Sequence, residues 1–360
     1  MGGNIFTSTH PTVRLDREAM EGVSKHLRQI FDMAGIVLYD IPSFGDKDSF
    51  GDIDMIAVSD AGSVMKRLEN WRFPVSKNGN VVSFLLYVGS LDVPEFFQCD
   101  IICFPTEEQA KTAVNYFAYN DLGNLIGRLY HSIGFKYGHD GLSYVRRDGD
   151  YQVYTMPVST DIDEILKYIR LCPLKFHAGF KTLEEIFEYV ASSPYYHPSI
   201  YLLENRNHTS RVRDRKRKTY MEFLKWSETH PKAGTPYAKP VNIGYLIEVL
   251  ETFNVFNEYI TRESEYAVRK KCKEMLNGDI VGKLTGLSGK DLGAFMSDLR
   301  KLLPDDLLSM YRPKQVERLI IAWYERKMLM DDLLLWRGDV QSPQAIISES
   351  PDVQIPNIKQ

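Results

Sequence analysis

The sequence predicts an α+β protein, with a mixed-sheet α/β domain first and a mainly α-helical domain after it. Three observations carry that expectation. Short apolar runs suited to β-strands alternate with helical spacing up to residue 120, whereas from Thr160 onward nearly every apolar pattern has helical spacing. At 360 residues the chain is long enough for two or three domains and a sizeable core. Its 44% hydrophobic and 26% charged residues are ordinary for a globular protein. The expected division is an N-terminal domain over 1–120, a β-hairpin-containing connection over 121–158, a helical domain over 159–338 and a flexible tail over 339–360. That tail is polar and contains proline.

In chain order, residues 1–13 are polar and turn-rich, an arm lying on the body. From Arg14 to Ala34, Met20, Val23, Leu27, Ile30, Phe31 and Met33 recur at helical spacing, and Gly35 ends the helix. Strands are expected at 36–40 and from Asp52, with a helix from Ala61 to Trp71 between the second strand and a third at 80–88. Residues 77–80, Lys-Asn-Gly-Asn, form a turn before that third strand. A further strand at 96–104 precedes Thr106-Glu-Glu, an N-cap followed by early acidic residues, which opens a helix running to about Tyr119. After a helix from Leu122 to Ile133, residues 135–154 alternate in strand fashion between glycine turns, predicting two or three short strands. Such a hairpin either closes over a ligand or lies in solvent. Helices are then expected at 161–171, 182–192, 219–229, 243–276 and 312–335.

The chemistry concentrates in residues 36–59. Asp52 and Asp54 flank Ile53 at the head of an apolar run, Met55-Ile-Ala-Val58, that suits a strand buried on both faces. Positions i and i+2 of a strand point the same way, so the two carboxylates share a face. Held close at the edge of an apolar sheet they repel and lose hydration, a cost that a divalent cation relieves. Asp100 interrupts a second β-compatible run, Phe96 to Phe104. If the two strands are neighbours, three oxygen ligands converge, enough for two magnesium ions or manganese in their place.

These residues resemble the nucleotidyltransferase superfamily that includes DNA polymerase β, the CCA-adding enzymes and the poly(A) polymerases. Its signature is a Gly-Ser turn, a spacer, an Asp-x-Asp strand and a third Asp on a later strand. Ser43, Gly45, Gly51, Asp52, Asp54 and Asp100 match it. Pro42 stands where the family has glycine, which would let backbone approach a triphosphate. The resemblance, which covers residues 1–120, implies a polymerase β-like catalytic domain and a template-independent transfer of a nucleoside monophosphate from a nucleoside triphosphate such as ATP. It implies that Asp52 and Asp54 ligate both metal ions and that Asp100 ligates the catalytic one and helps deprotonate the attacking hydroxyl. Ser43, Phe44, Gly45 and Gly51 would hold phosphates. The expected acceptor is the 3′ end of an RNA, tRNA first. Residues 275–295, with a glycine turn between two short helices, resemble the helical tail module of CCA-adding enzymes. Thr285 to Lys290 there would either present amides to a phosphate or make a plain helix corner. The alternatives are a nucleotidyltransferase acting on a small molecule or protein, and a non-catalytic binding module that keeps the fold.

A formal charge of −4 means that any nucleic-acid contact must come from a local patch. Residues 206–218 supply one. Arg206, Arg211, Arg213, Arg215, Lys216, Arg217 and Lys218 surround a single acid, Asp214, and are expected to meet RNA phosphates or the triphosphate. The other reading of this block is a solvated helix start or a disordered basic loop. Phe187, Tyr189, Tyr195, Tyr196 and Tyr201 lie just before it, and either stack on bases or fill a helical core, with the core reading preferred. Cys99, Cys103, Cys172 and Cys272 lack zinc-type spacing and read as reduced, buried thiols of a cytoplasmic protein. No apolar run approaches the roughly 18 residues of a membrane span. The N-terminus has neither a signal-peptide core nor, with Phe6 where Ser or Thr is needed, a myristoylation signal. Walker, His-Glu-x-x-His and Gly-x-Ser-x-Gly motifs are absent.

Overall fold

Two strands more than forty residues apart in the chain lie side by side and parallel, and the rest of the N-terminal architecture is built on that pair. The structure is a computed structural model that describes residues 5–6, 10–89, 95–149, 151–237 and 243–334. The expected tail at 339–360 lies outside the described residues. The chain forms two compact units, Met1–Phe256 and Asn257–Gln360. The spans 1–120 and 121–158 and the helices up to Phe256 thus belong to one unit.

In that unit, helix α1 (Arg17–Asp32) is followed by β1 (Leu38–Asp40), β2 (Asp52–Val58), α2 (Ala61–Asn70), β3 (Val75–Asn78), β4 (Val81–Tyr87), β5 (Phe96–Phe104) and α3 (Glu107–Phe117). The five strands form one mixed sheet in the order β1-β2-β5-β4-β3. Only the β2–β5 pair is parallel; β1–β2, β5–β4 and β4–β3 are antiparallel. Asp16, Asp60 and Thr106 cap α1, α2 and α3 by accepting backbone N–H bonds. Alternation sorts the sheet's residues. Met55 and Ala57 of β2, with Cys99 and Ile101 of β5, pack under Leu27 and Phe31 of α1 and Val64 and Leu68 of α2. Ile56, Ile102 and Phe104 face the other way, onto Ala110 and Ala113 of α3. Asp52, Asp54 and Asp100 are in phase with this second set, so they sit on the α3 face at the end where β2 begins.

Next come α4 (Leu122–Ser132) and a three-stranded antiparallel sheet of β6 (Phe135–Gly138), β7 (Gly141–Asp148) and β8 (Tyr151–Ser159). Among the described residues the unit continues with the α-helices α5 (Ile162–Tyr168), α6 (Pro173–Ala178), α7 (Leu183–Ala191), α8 (His208–Arg215), α9 (Lys218–Ser227) and α10 (Ile243–Thr252). The described residues of the second unit are mainly helical. They form α11 (Phe256–Met275), α12 (Gly278–Thr285), α13 (Gly289–Leu302), α14 (Asp305–Leu308) and α15 (Pro313–Leu334) around Cys272, Val281, Phe295, Leu299, Leu308, Val316 and Ile320.

Three local expectations change. The helix expected over 243–276 is two helices, because Asn254 adopts φ 57° and the chain closes behind it through Val255 N–H to Leu250 O at 2.9 Å. The basic block is mostly the helix α8, capped by Asn207. Cys172 is exposed, while Cys99, Cys103 and Cys272 are buried. Among the described residues no helix is long and apolar enough to cross a membrane.

Candidate metal centre and its surroundings

The parallel register sets Asp54 opposite Asp100 and Asp52 opposite Gln98. Carboxylate oxygens of Asp52, Asp54 and Asp100 thereby come within 4.8 Å of one another, a group able to hold a metal ion. Asp52 Oδ2 is buried with no hydrogen-bond partner. A buried carboxylate oxygen left so is costly, and a cation between the strands would satisfy it. Asp100, 6% exposed, is the best held of the three: Gln98 Nε2 donates to both of its oxygens at 3.0 Å, and the Ser83 hydroxyl bonds it from β4.

Charge crowding shows in the acidities. Asp54 keeps an exposed edge, yet protein on its other sides strips its hydration, and this together with Asp52 and Asp100 pushes its pKa up to about 7. Burial also raises Asp100, against the hydrogen bonds from Ser83 and Gln98 that favour its charged form. Lys47 lies beside the pair. Burial lowers its pKa, Asp52 and Asp54 draw it back up, and Arg14 and Arg17 push it down. Its Nζ sits 4.6 Å over the Phe50 ring.

The loop between β1 and β2 carries Ser43, Phe44, Gly45 and Gly51. Arg17 gathers it by donating to the carbonyls of Phe44, Gly45 and Lys47 at 2.8, 2.8 and 2.9 Å. From the other side, Gly45 N–H donates to Phe180 O and Asp46 N–H to Lys181 O, at 2.8 and 2.7 Å. A Cβ on Gly45 would stand 3.3 Å from Lys181 Cα, so glycine permits the close approach. The Gly45 amide is therefore committed to the protein. Gly51 makes room for Arg14, whose guanidinium would lie 2.7 Å from a Cβ there while it donates to Ser49 Oγ and O. Pro42 O accepts from Tyr119 N–H at 2.7 Å, two residues before Asp121, the N-cap of α4.

Asp121 is where the basic block attaches. Arg217 pairs with Asp121, and Arg213 pairs with Asp214 at 3.2 Å. Arg206 is buried: its Nη2 lies 2.8 Å from Asp214 Oδ2, and its Nη1 donates to Tyr220 OH at 3.0 Å. Arg206 is thus a strut of the fold, almost wholly out of solvent. Arg211 is half-buried, while Arg215, Lys216 and Lys218 point outward. The neighbouring rings are core, as Phe187, Tyr189, Tyr196 and Tyr201 are all buried, and half-buried Tyr195 stacks on Tyr168.

Arg14, Arg17, Lys47, Ser83 and Gln98 did not stand out in the sequence. Gln98 carried a signal nonetheless, since it lies two residues before Asp100 and so on the same face. Ser83 carried none, because its place depends on cross-strand register. No protein-family model matches the chain, and no curated protein matches it.

Proposed function

We propose that the protein is a divalent-metal-dependent nucleotidyltransferase of polymerase β-like fold, in which the 3′ hydroxyl of an RNA attacks the α-phosphate of a nucleoside triphosphate, the α–β phosphoanhydride bond breaks and pyrophosphate leaves. The observation that carries this reading is the meeting of Asp52, Asp54 and Asp100 on one face of a parallel strand pair, with a buried Asp52 oxygen left unpartnered. An all-oxygen donor set of this charge suits magnesium or manganese. Asp52 and Asp54 would hold two ions and Asp100 one of them. Magnesium held there would make the attacking hydroxyl more acidic and would neutralise charge on the transferred phosphate.

The chain's own residues would do the positioning. Asp100, fixed by Gln98 and Ser83, would receive the hydroxyl proton. Lys47 and the Ser43 hydroxyl would face the triphosphate; with the Gly45 amide already bonded, phosphate binding falls to side chains. Arg14 and Arg17 hold the loop in shape. Arg215, Lys216 and Lys218 would meet RNA phosphates. A tRNA acceptor is the first choice on the similarity of residues 275–295.

One observation favours a second reading, a non-catalytic binding module: the Gly45 and Asp46 amides are both spent on the segment at Phe180 and Lys181. Incubation with each labelled nucleoside triphosphate, magnesium and total RNA, followed by a gel, decides. The proposal expects labelled RNA that needs metal. Label on a small molecule or on protein would shift the acceptor, and absence of metal-dependent triphosphate binding by calorimetry would favour the module.

A further inference from the structure

The third carboxylate belongs to a network that reaches the N-terminal arm. Gln98 is fully buried, and both ends of its amide are engaged. Nε2 donates to both Asp100 oxygens at 3.0 Å, and Oε1 accepts the backbone N–H of Ile5 at 3.2 Å. A backbone N–H can only donate and an ionised carboxylate can only accept, so a single orientation of the amide serves both neighbours. The Ile5 N–H thereby sets which way Gln98 points, and Gln98 sets the plane of the Asp100 carboxylate. Each Asp100 oxygen keeps further lone-pair capacity for a cation. The described residues of the arm are themselves anchored: Phe6 is buried, His10 N–H donates to Phe6 O at 2.7 Å, the His10 ring meets Phe96 edge-on at 5.0 Å, and Val13 N–H donates to Phe96 O at 2.9 Å.

We infer that Gln98 is a positioning residue of the metal centre and that the Ile5 N–H orients it, so the N-terminal arm is a working part of the site. The inference rests on the reading of Asp52, Asp54 and Asp100 as a cation site.

The test is Mn2+ binding to the full chain, followed by paramagnetic resonance, for wild type, Gln98→Met, Ile5→Pro, Ile5→Val and the Gln98→Met/Ile5→Pro double variant. Methionine keeps the bulk of glutamine without its donor, proline removes the Ile5 N–H, and valine keeps it. Gln98→Met is expected to weaken Mn2+ binding by about ten- to a hundredfold, as loss of a ligand's hydrogen-bond partner does. Ile5→Pro should weaken it by a smaller factor and Ile5→Val should not. The double variant should be no weaker than Gln98→Met alone, because both changes cut one chain of bonds. Thermal unfolding checks that each variant folds; if Gln98→Met does not, Ile5→Pro against Ile5→Val decides. Wild-type affinity in either Gln98→Met or Ile5→Pro, multiplying effects in the double variant, or no Mn2+ binding by the wild type would overturn the inference. Mn2+ binding without nucleotide transfer would instead sink the reaction proposed above and leave this inference standing.

Discussion

At the scale of single residues the centre is a balance of charge against burial. The Asp54 carboxyl, with its pKa pushed up to about 7 from an ordinary 3.8, holds a proton in the folded chain that the unfolded chain has already released. Between about pH 4 and pH 7 the folded state therefore binds more protons, so stability in chelator falls as pH rises through that window and levels above it. Burial of Asp100 acts in the same direction. Denaturant titrations in chelator should show this slope, and Asp54→Asn should flatten it; an unchanged slope would mean that Asp54 is not the crowded group. Divalent metal should reverse the loss by raising the melting temperature in a concentration-dependent way. For turnover, Asp52→Ala and Asp54→Ala should each abolish nucleotide incorporation while circular dichroism stays that of the wild type. Transfer surviving either change would remove the metal from the mechanism. The carboxylates were legible because strand alternation alone puts residues 52 and 54 on one face. Lys47 was not, since its place beside them depends on how the loop folds back.

At the scale of elements, the parallel pairing of β2 and β5 does what no local pattern reveals. Each strand announces itself by its apolar run, but that they are neighbours and in which register is a long-range outcome. The register of Asp54 against Asp100 is what turns three scattered acids into one group. The break between α10 and α11 was hidden for the opposite reason: helical spacing continues across Asn254, and only its left-handed conformation divides the pattern. The basic block shows the limit of reading charge from sequence, since Arg206 and Asp214 are a buried pair inside it, with side chains 5% and 0% exposed. Asp214→Ala would leave Arg206 charged and unmatched, at a cost of about 3–5 kcal/mol, whereas an apolar replacement of both partners should recover much of it. Chemical denaturation measures both. A loss under about 1 kcal/mol for Asp214→Ala would mean that water reaches Arg206.

For the whole molecule, the formal charge of −4 means that the proposed RNA contact would have to come from a local patch, and the basic block lies in the same compact unit as the carboxylates. Of its exposed residues Arg213 is held by Asp214, whereas Arg215, Lys216 and Lys218 point outward, and Lys218 is 92% exposed despite its pairing with Glu222 at 3.8 Å. Replacing all three with alanine should weaken RNA binding and make its salt dependence shallower, by about 0.7 in the log–log slope for each single-strand phosphate the protein no longer neutralises. The melting temperature should stay put, because surface substitutions of this kind change stability little. Unchanged affinity and slope would place the RNA elsewhere. The division at Phe256 was not legible, because helical patterning runs on either side of it alike, whereas the change from mixed strands to helices was plain from the spacing of apolar residues.

The most direct measurement is anomalous diffraction at the manganese edge from crystals grown or soaked with Mn2+. A metal held by Asp52, Asp54 and Asp100 would give density between their carboxylates, lost in crystals of Asp54→Asn. A map with no peak there, or a peak unmoved by that substitution, would contradict the metal assignment.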